Sequence, residues 1–267
     1  MPAEPLVRWL RRTINVPGLL FILALTIVWE VAIRAGLITY EYLPSPSATA
    51  RAGVDLVFHG SWASEVGHTV LSALAGWGIG SIAGILIGIW LGLASLAWRS
   101  TMASVEVLRA LPAIAFVPAV VLLLGFSLQA EIVITTYVSI WPVLINTIAG
   151  VREVSSSHRE VADMLRMPAL ERVRKILLPS AAPLIIVGLR LSLALSLALA
   201  IVAEMVGNPQ GVGYALVLQQ QALQPAAMFF YIISIGLVGL ALNTVFLLIT
   251  RVISPGTTAI LEAEANS

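Results

Sequence analysis

The chain has 267 residues, 59% of them hydrophobic and 11% charged, with a mean hydropathy of +0.97 and a net charge of +1. Soluble domains carry about 25% charged residues, so this composition fits lipid as the solvent rather than water. The absence of cysteine excludes disulfides and thiolate metal sites. His59, His68 and His158 are widely spaced and are expected as loop or interfacial side chains, with no ligand-like cluster.

A spanning helix needs about 20 mostly apolar residues, and six segments qualify. Arg8, Arg11 and Arg12 precede an apolar run from Gly18 to Trp29, a pattern shared with secretory signals. Apolar character resumes after Glu30 and no small-x-small cleavage site follows, so a retained first helix is expected over about 16–36, after a tail at 1–15. An external segment follows at 37–65. In it, Leu43-Pro44-Ser45-Pro46-Ser47 reads as a rigid turn, and Asp55 to Ser64 is expected along the outer interface. The remaining core, 66–251, holds five more spans. They run from about Thr69 to Ala97, between Arg109 and Glu131, between Glu131 and Arg152, from Ala182 to Ala203, and from Ala226 to Thr250. A tail at 252–267 closes the chain. The fold class is an all-α polytopic membrane protein with about six transmembrane helices. The stretch from Gly207 to Pro225 is polar but uncharged, and fits either a short re-entrant, gate-like segment or a plain external loop.

Orientation follows from the basic residues. With the N-terminus in the cytoplasm, 12 of the 15 Lys and Arg residues fall on the cytoplasmic side. Only Arg34 and Arg51 fall outside, and Arg190 lies within a span. The inverted topology reverses this ratio and is rejected.

The second span carries Gly76, Gly80, Gly84, Gly88 and Gly92. A spacing of four keeps them on one slowly drifting face, where another helix backbone can approach closely.

The segment from Ser155 to Pro179 is the longest polar interruption between spans. Ser157 and Glu160 fit a capping box, Val161, Met164 and Leu165 give the helix after it an apolar face, and Pro168 suits the first turn of a second helix. The shape is a helix-turn-helix with an apolar stripe and a basic surface. It suits a docking element for a cytosolic partner or a hairpin resting on anionic lipid.

The run from Glu160 to Pro179 resembles the EAA loop of ABC importer permeases, which reads E-A-A-x-x-x-G and ends in L-P. Glu160, Ala162, Leu178 and Pro179 match in register. Nearly the whole chain is similar to the nitrate/sulfonate/taurine branch of that family. Trp29-Glu30 followed by Leu43–Ser47 matches, as do the runs from Asn146 to Arg152, Gly188 to Arg190, Ala203 to Met205 and Gly211 to Tyr214. The chain departs from the pattern at Val161, at Arg166, where the family places Gly, and over Leu124 to Ala130. Glycine at this seventh position of the motif supplies a flexible turn, so Arg166 alters the turn geometry.

The resemblance implies a mechanism and its partners. Two permease copies, expected as a homodimer in the prokaryotic inner membrane with both termini cytoplasmic, line a path. A cytosolic ABC ATPase dimer, carrying ATP and Mg, docks on the EAA loop (about 153–179) through Glu160, Ala162, Asp163, Leu165 and Arg166. An extracytoplasmic solute-binding protein delivers a small, anionic solute such as a sulfonate, taurine or nitrate. No cofactor, metal, catalytic residue or nucleic acid is expected on this chain. Its one lysine, Lys175, sits between Arg174 and Ile176, so no phosphate-binding loop of the G-x-x-x-x-G-K-[ST] type is present and hydrolysis falls to another chain.

Arg190 and Glu204, with Gly211 and Gly213, are candidate path or gate residues. Arg190 suits either a path-lining cation or a structural pair. Glu204 lies about 21 Å further along the same helix, too far to pair with it, and is expected near the turn from Gly211 to Tyr214. A secondary transporter and a polytopic membrane enzyme are the alternatives. The first favours internal repeats and intramembrane acids. The second requires clustered Asp, Glu or His. Neither a repeat nor such a cluster is read from the sequence, and Arg190 is the one deep charge expected.

Overall fold

The computed structural model describes residues 16–153, 164 and 167–253, and all regular structure among them is helical. Helix α1 spans Val16–Arg34 and buries no residue. It is tied down at its C-terminal end. Glu30 accepts hydrogen bonds from the Ser47 backbone N–H at 2.9 Å and hydroxyl at 2.8 Å, and Trp29 stacks 6.0 Å from Phe229. Helix α2 (Pro46–His59) begins where the Ser45 hydroxyl accepts the Ala48 N–H at 3.2 Å. It packs on the last helix, with Gly53 pressed against the Phe230 ring.

Helix α3 (Trp62–Leu93) is 32 residues long, about 48 Å at the α-helical rise. Helix α6 (Leu128–Arg152) runs along it. The five glycines expected to face another backbone meet α6 in sequence. A methyl group at Gly80, Gly88 or Gly92 would come within 2.7, 2.7 and 2.8 Å of the Cβ atoms of Ser139, Thr147 and Val151. At Gly84 it would come within 2.9 Å of Ile140 O, and at Gly76 it would overlap Thr135. Both partners advance in the same direction, so α3 and α6 are parallel. In lipid such close backbone contact replaces the hydrophobic force that is absent there.

Between them the structure departs from the expected uninterrupted third span. Helix α4 (Ser95–Ala110), a 3-10 turn (Ala113–Phe116) and helix α5 (Val117–Leu124) form a pair bent by 75°. Two prolines account for the break. Pro112 holds Leu111 extended at φ −68°, ψ 126°, and Pro118 restarts the chain in the first turn of α5. Among the described residues five helices are long and apolar enough to cross a membrane singly, and the bent pair is long and apolar enough to be a sixth span. The parallel α3 and α6 require that sixth crossing, because the chain must return to the end where α3 began.

A one-turn helix α7 (Ala169–Arg172) follows Pro168, as the proline position predicts. It leads through a π-helical turn (Val173–Leu177) into helix α8 (Leu178–Val206). The Leu178 N–H reaches back five residues to Val173 O, and Pro179, lacking an N–H, cannot restore the α-helical ladder at the next position. Helix α8 runs antiparallel to α6. Gly150 of α6 lies against Ala181 and Gly188 of α8 against Asn146. It also binds α3, where Ser196 Oγ donates to Ala73 O at 2.7 Å and Trp77 Nε1 donates to Leu189 O at 3.0 Å. Helices α3, α6 and α8 thus form the core. Helix α9 (Val212–Gln221) occupies the polar stretch expected as a loop or a re-entrant segment, and helix α10 (Pro225–Ile253) closes the bundle.

Candidate functional site

The N-terminal ends of α3 and α6 and the C-terminal end of α8 converge on a group of buried polar side chains. Glu204, in the last turn of α8, is fully buried. The Gly213 backbone N–H donates to its Oε2 at 2.8 Å. Gly211 sits at φ +92°, and a Cβ there would fall 2.6 Å from the same oxygen. The Val212 N–H, next in the chain, donates to Thr69 Oγ1 of α3 at 2.9 Å. Gly211, Gly213 and Glu204, grouped in the sequence reading as gate candidates, form one turn-and-carboxylate unit.

The expectation of scattered acids is overturned here. Glu131, in the first turn of α6, is 2% exposed and lies 3.2 Å from His68 Nε2 of α3. Asn208 contacts both Glu131 and His68. Donor atoms of His68, Glu131 and Glu204 all lie within 4.8 Å of one another. Arg190 is therefore not the one charged group inside the bundle, and His68 is not a loop or interfacial side chain. Glu131 Oε2 and Glu204 Oε1 are buried without a hydrogen-bond partner. Beside them, Tyr231 of α10 donates to Glu65 Oε2 at 2.5 Å. An acidic residue in the first turn of a long apolar helix was the available signal for Glu131. Its partner His68 is 63 residues away, and spacing gives no hint of that.

Arg190 lies at mid-length of α8, where its Nε donates to Asn243 Oδ1 of α10 at 3.0 Å. Both residues border a cavity of about 320 Å³ between α8 and α10, lined also by Leu193, Leu197, Ile201 and Ile235. A guanidinium held by an amide at the rim of an otherwise apolar cavity offers its remaining N–H donors to an anion. Glu160, Ala162, Asp163, Leu165 and Arg166, expected to couple to an ATPase, lie outside the described residues.

The family described as the binding-protein-dependent transport system inner membrane component matches residues 80–259. The chain belongs to that family. It is accordingly a permease subunit of an ABC transporter, a transport protein. It is 30% identical over 222 residues to the aliphatic sulfonates transport permease protein SsuC of Bacillus subtilis, covering 83% of this chain and 80% of the relative. It is 29% identical to the bicarbonate transport system permease protein CmpB of Synechocystis sp., covering 95% of each. Among solved structures its fold is similar to that of the MetNI methionine ABC transporter in inward-facing form, with a TM-score of 0.58, 20% identity, and coverage of 71% of this chain and 96% of that one. The matched residues of the permease run from Gly80 of α3 through α10, and so include four of the five contact glycines, Glu131, Glu204 and Arg190.

Proposed function

We propose that this permease forms, with a second copy of itself, the membrane path of an ATP-driven importer for a small organic or inorganic anion such as a sulfonate, taurine or nitrate. An extracytoplasmic binding protein delivers the solute. A cytosolic ATPase dimer, holding ATP and Mg, docks on the loop that carries Glu160, Ala162, Asp163, Leu165 and Arg166, and its closure switches the path between inward and outward access. Both termini face the cytoplasm of a prokaryote, in keeping with the basic residues on that side.

The observation that carries the anion reading is Arg190, bonded to Asn243 at the edge of an apolar cavity halfway along α8. Charged groups at that depth face a cavity or a partner, and this one does both. Relatives named for sulfonate and for bicarbonate transport agree with it in charge. Glu204, Gly211 and Gly213 lie near the outer mouth and serve as its gate.

The test is uptake into proteoliposomes holding the permease with its ATPase and binding protein, using labelled sulfonates, nitrate and bicarbonate in turn. Arg190→Gln should lower uptake of the preferred anion about tenfold or more while ATPase assembly persists, and Arg190→Lys should retain part of it. Undiminished uptake in Arg190→Gln refutes the path-lining role. Uptake without any ATPase refutes the ABC mechanism and leaves a secondary transporter.

A further inference from the structure

We infer that His68, Glu131 and Glu204 form a binding site for a divalent transition-metal cation of the zinc or manganese type, which joins α3, α6 and α8 at their outer ends. This goes beyond the transport function and does not depend on which solute is carried.

Three observations carry it. The first is geometry. One donor atom from each of the three residues lies within 4.8 Å of the others. Metal–ligand bonds of about 2.0–2.2 Å place tetrahedral donors about 3.4 Å apart, so side-chain shifts of about 1 Å close the site. The second is unmet valence. Glu131 is 2% and Glu204 0% exposed, and one carboxylate oxygen of each, Glu131 Oε2 and Glu204 Oε1, has no hydrogen-bond partner. Buried carboxylate oxygens in that condition are costly. The third is charge. In the metal-bound state a neutral imidazole with two ionised carboxylates would carry two negative charges, which one divalent cation cancels.

The surroundings match those of a metal site. The Gly213 N–H holds Glu204 through Oε2, as an outer-shell donor orients a ligand. The Asn208 side chain lies against Glu131 and His68, and a half-turn of its amide presents Oδ1 as a fourth ligand. His68 also borders an open cavity of about 560 Å³ lined by Ser61, Glu65, Gly211 and Tyr214, which provides the entry route. One imidazole nitrogen among oxygens favours zinc or manganese over magnesium and calcium, which take all-oxygen shells.

The experiment uses full-length permease, assembled with its ATPase, purified without a polyhistidine tag and stripped with chelator. Equilibrium dialysis against micromolar zinc, with the metal counted by mass spectrometry, should give about one ion per chain. His68→Ala, Glu131→Gln and Glu204→Gln should each weaken binding about a hundredfold or more. His59→Ala removes the exposed His59–Asp55 pair and should leave the count unchanged. Should the carboxylate variants fail to assemble, pulsed electron spin resonance of manganese-loaded wild-type permease decides the matter, since coupling to one imidazole nitrogen is expected. A wild-type chain that takes up neither metal overturns the inference. So does zinc binding that survives His68→Ala, or manganese without nitrogen coupling. Transport can fail in any of these samples without changing the metal count, so the two readings fall separately.

Discussion

At the scale of single residues, Gly211 is the position with least latitude. Its φ of +92° with ψ of 168° belongs to a region open almost only to glycine, and its missing side chain leaves room for the Glu204 carboxylate. Gly211→Ala should therefore destabilise the protein by about 1–3 kcal/mol, read as a lower melting temperature in detergent. Glu204→Gln keeps an oxygen to accept the Gly213 N–H and should melt much closer to the wild type. Tyr231 gives a second residue-level test. It is 1% exposed and spends its hydroxyl on Glu65. Tyr231→Phe should cost about 1–2 kcal/mol by the same measurement, because Glu65 Oε2 loses its donor while Oε1 keeps Ser61.

At the scale of elements, α3 separates packing from propensity. Gly84 and Gly78 share this helix, yet a Cβ at Gly84 meets the α6 backbone while one at Gly78 meets nothing within 4 Å. Alanine is the better helix former by about 1 kcal/mol. Gly78→Ala should therefore be neutral or stabilising, whereas Gly84→Ala should destabilise by about 1–3 kcal/mol through overpacking. Gly84→Leu should also lower the yield of assembled complex. Equal melting temperatures for the two alanine variants would mean that the α3–α6 contact is looser than described. The spacing of four made this face legible in advance. It did not name the partner, since Thr135, Ser139, Thr147 and Val151 lie in a different span. The bend between α4 and α5 was not foreseen. Pro112 and Pro118 mark it, but an apolar run counted for length alone hides it.

At the scale of the whole molecule, orientation and coupling are open to direct test. With the basic side in the cytoplasm, Ser47→Cys should react with an impermeant thiol reagent added to intact cells, and Ser156→Cys should not. Labelling of Ser156→Cys from outside refutes the orientation. Ala162→Arg should insert and fold normally, since its loop lies between spans, but should lose the ATPase on purification and stop transport, because docking would bury an unpaired charge. Retention of both ATPase and transport refutes the docking role of this loop.

Membrane embedding, the number of crossings and the glycine-lined face were all decided by the sequence, because each is written locally, within about 20 consecutive residues. Parallel packing of α3 on α6 and antiparallel packing of α8 were decided only in three dimensions. In lipid, helix faces that meet lipid and faces that meet protein are equally apolar, so hydrophobic periodicity does not say which helix pairs with which. The convergence of His68, Glu131 and Glu204 has the same origin. Each is an isolated polar residue near the end of its own span, and they become one site only because the packing of three helices carries those ends to the same point.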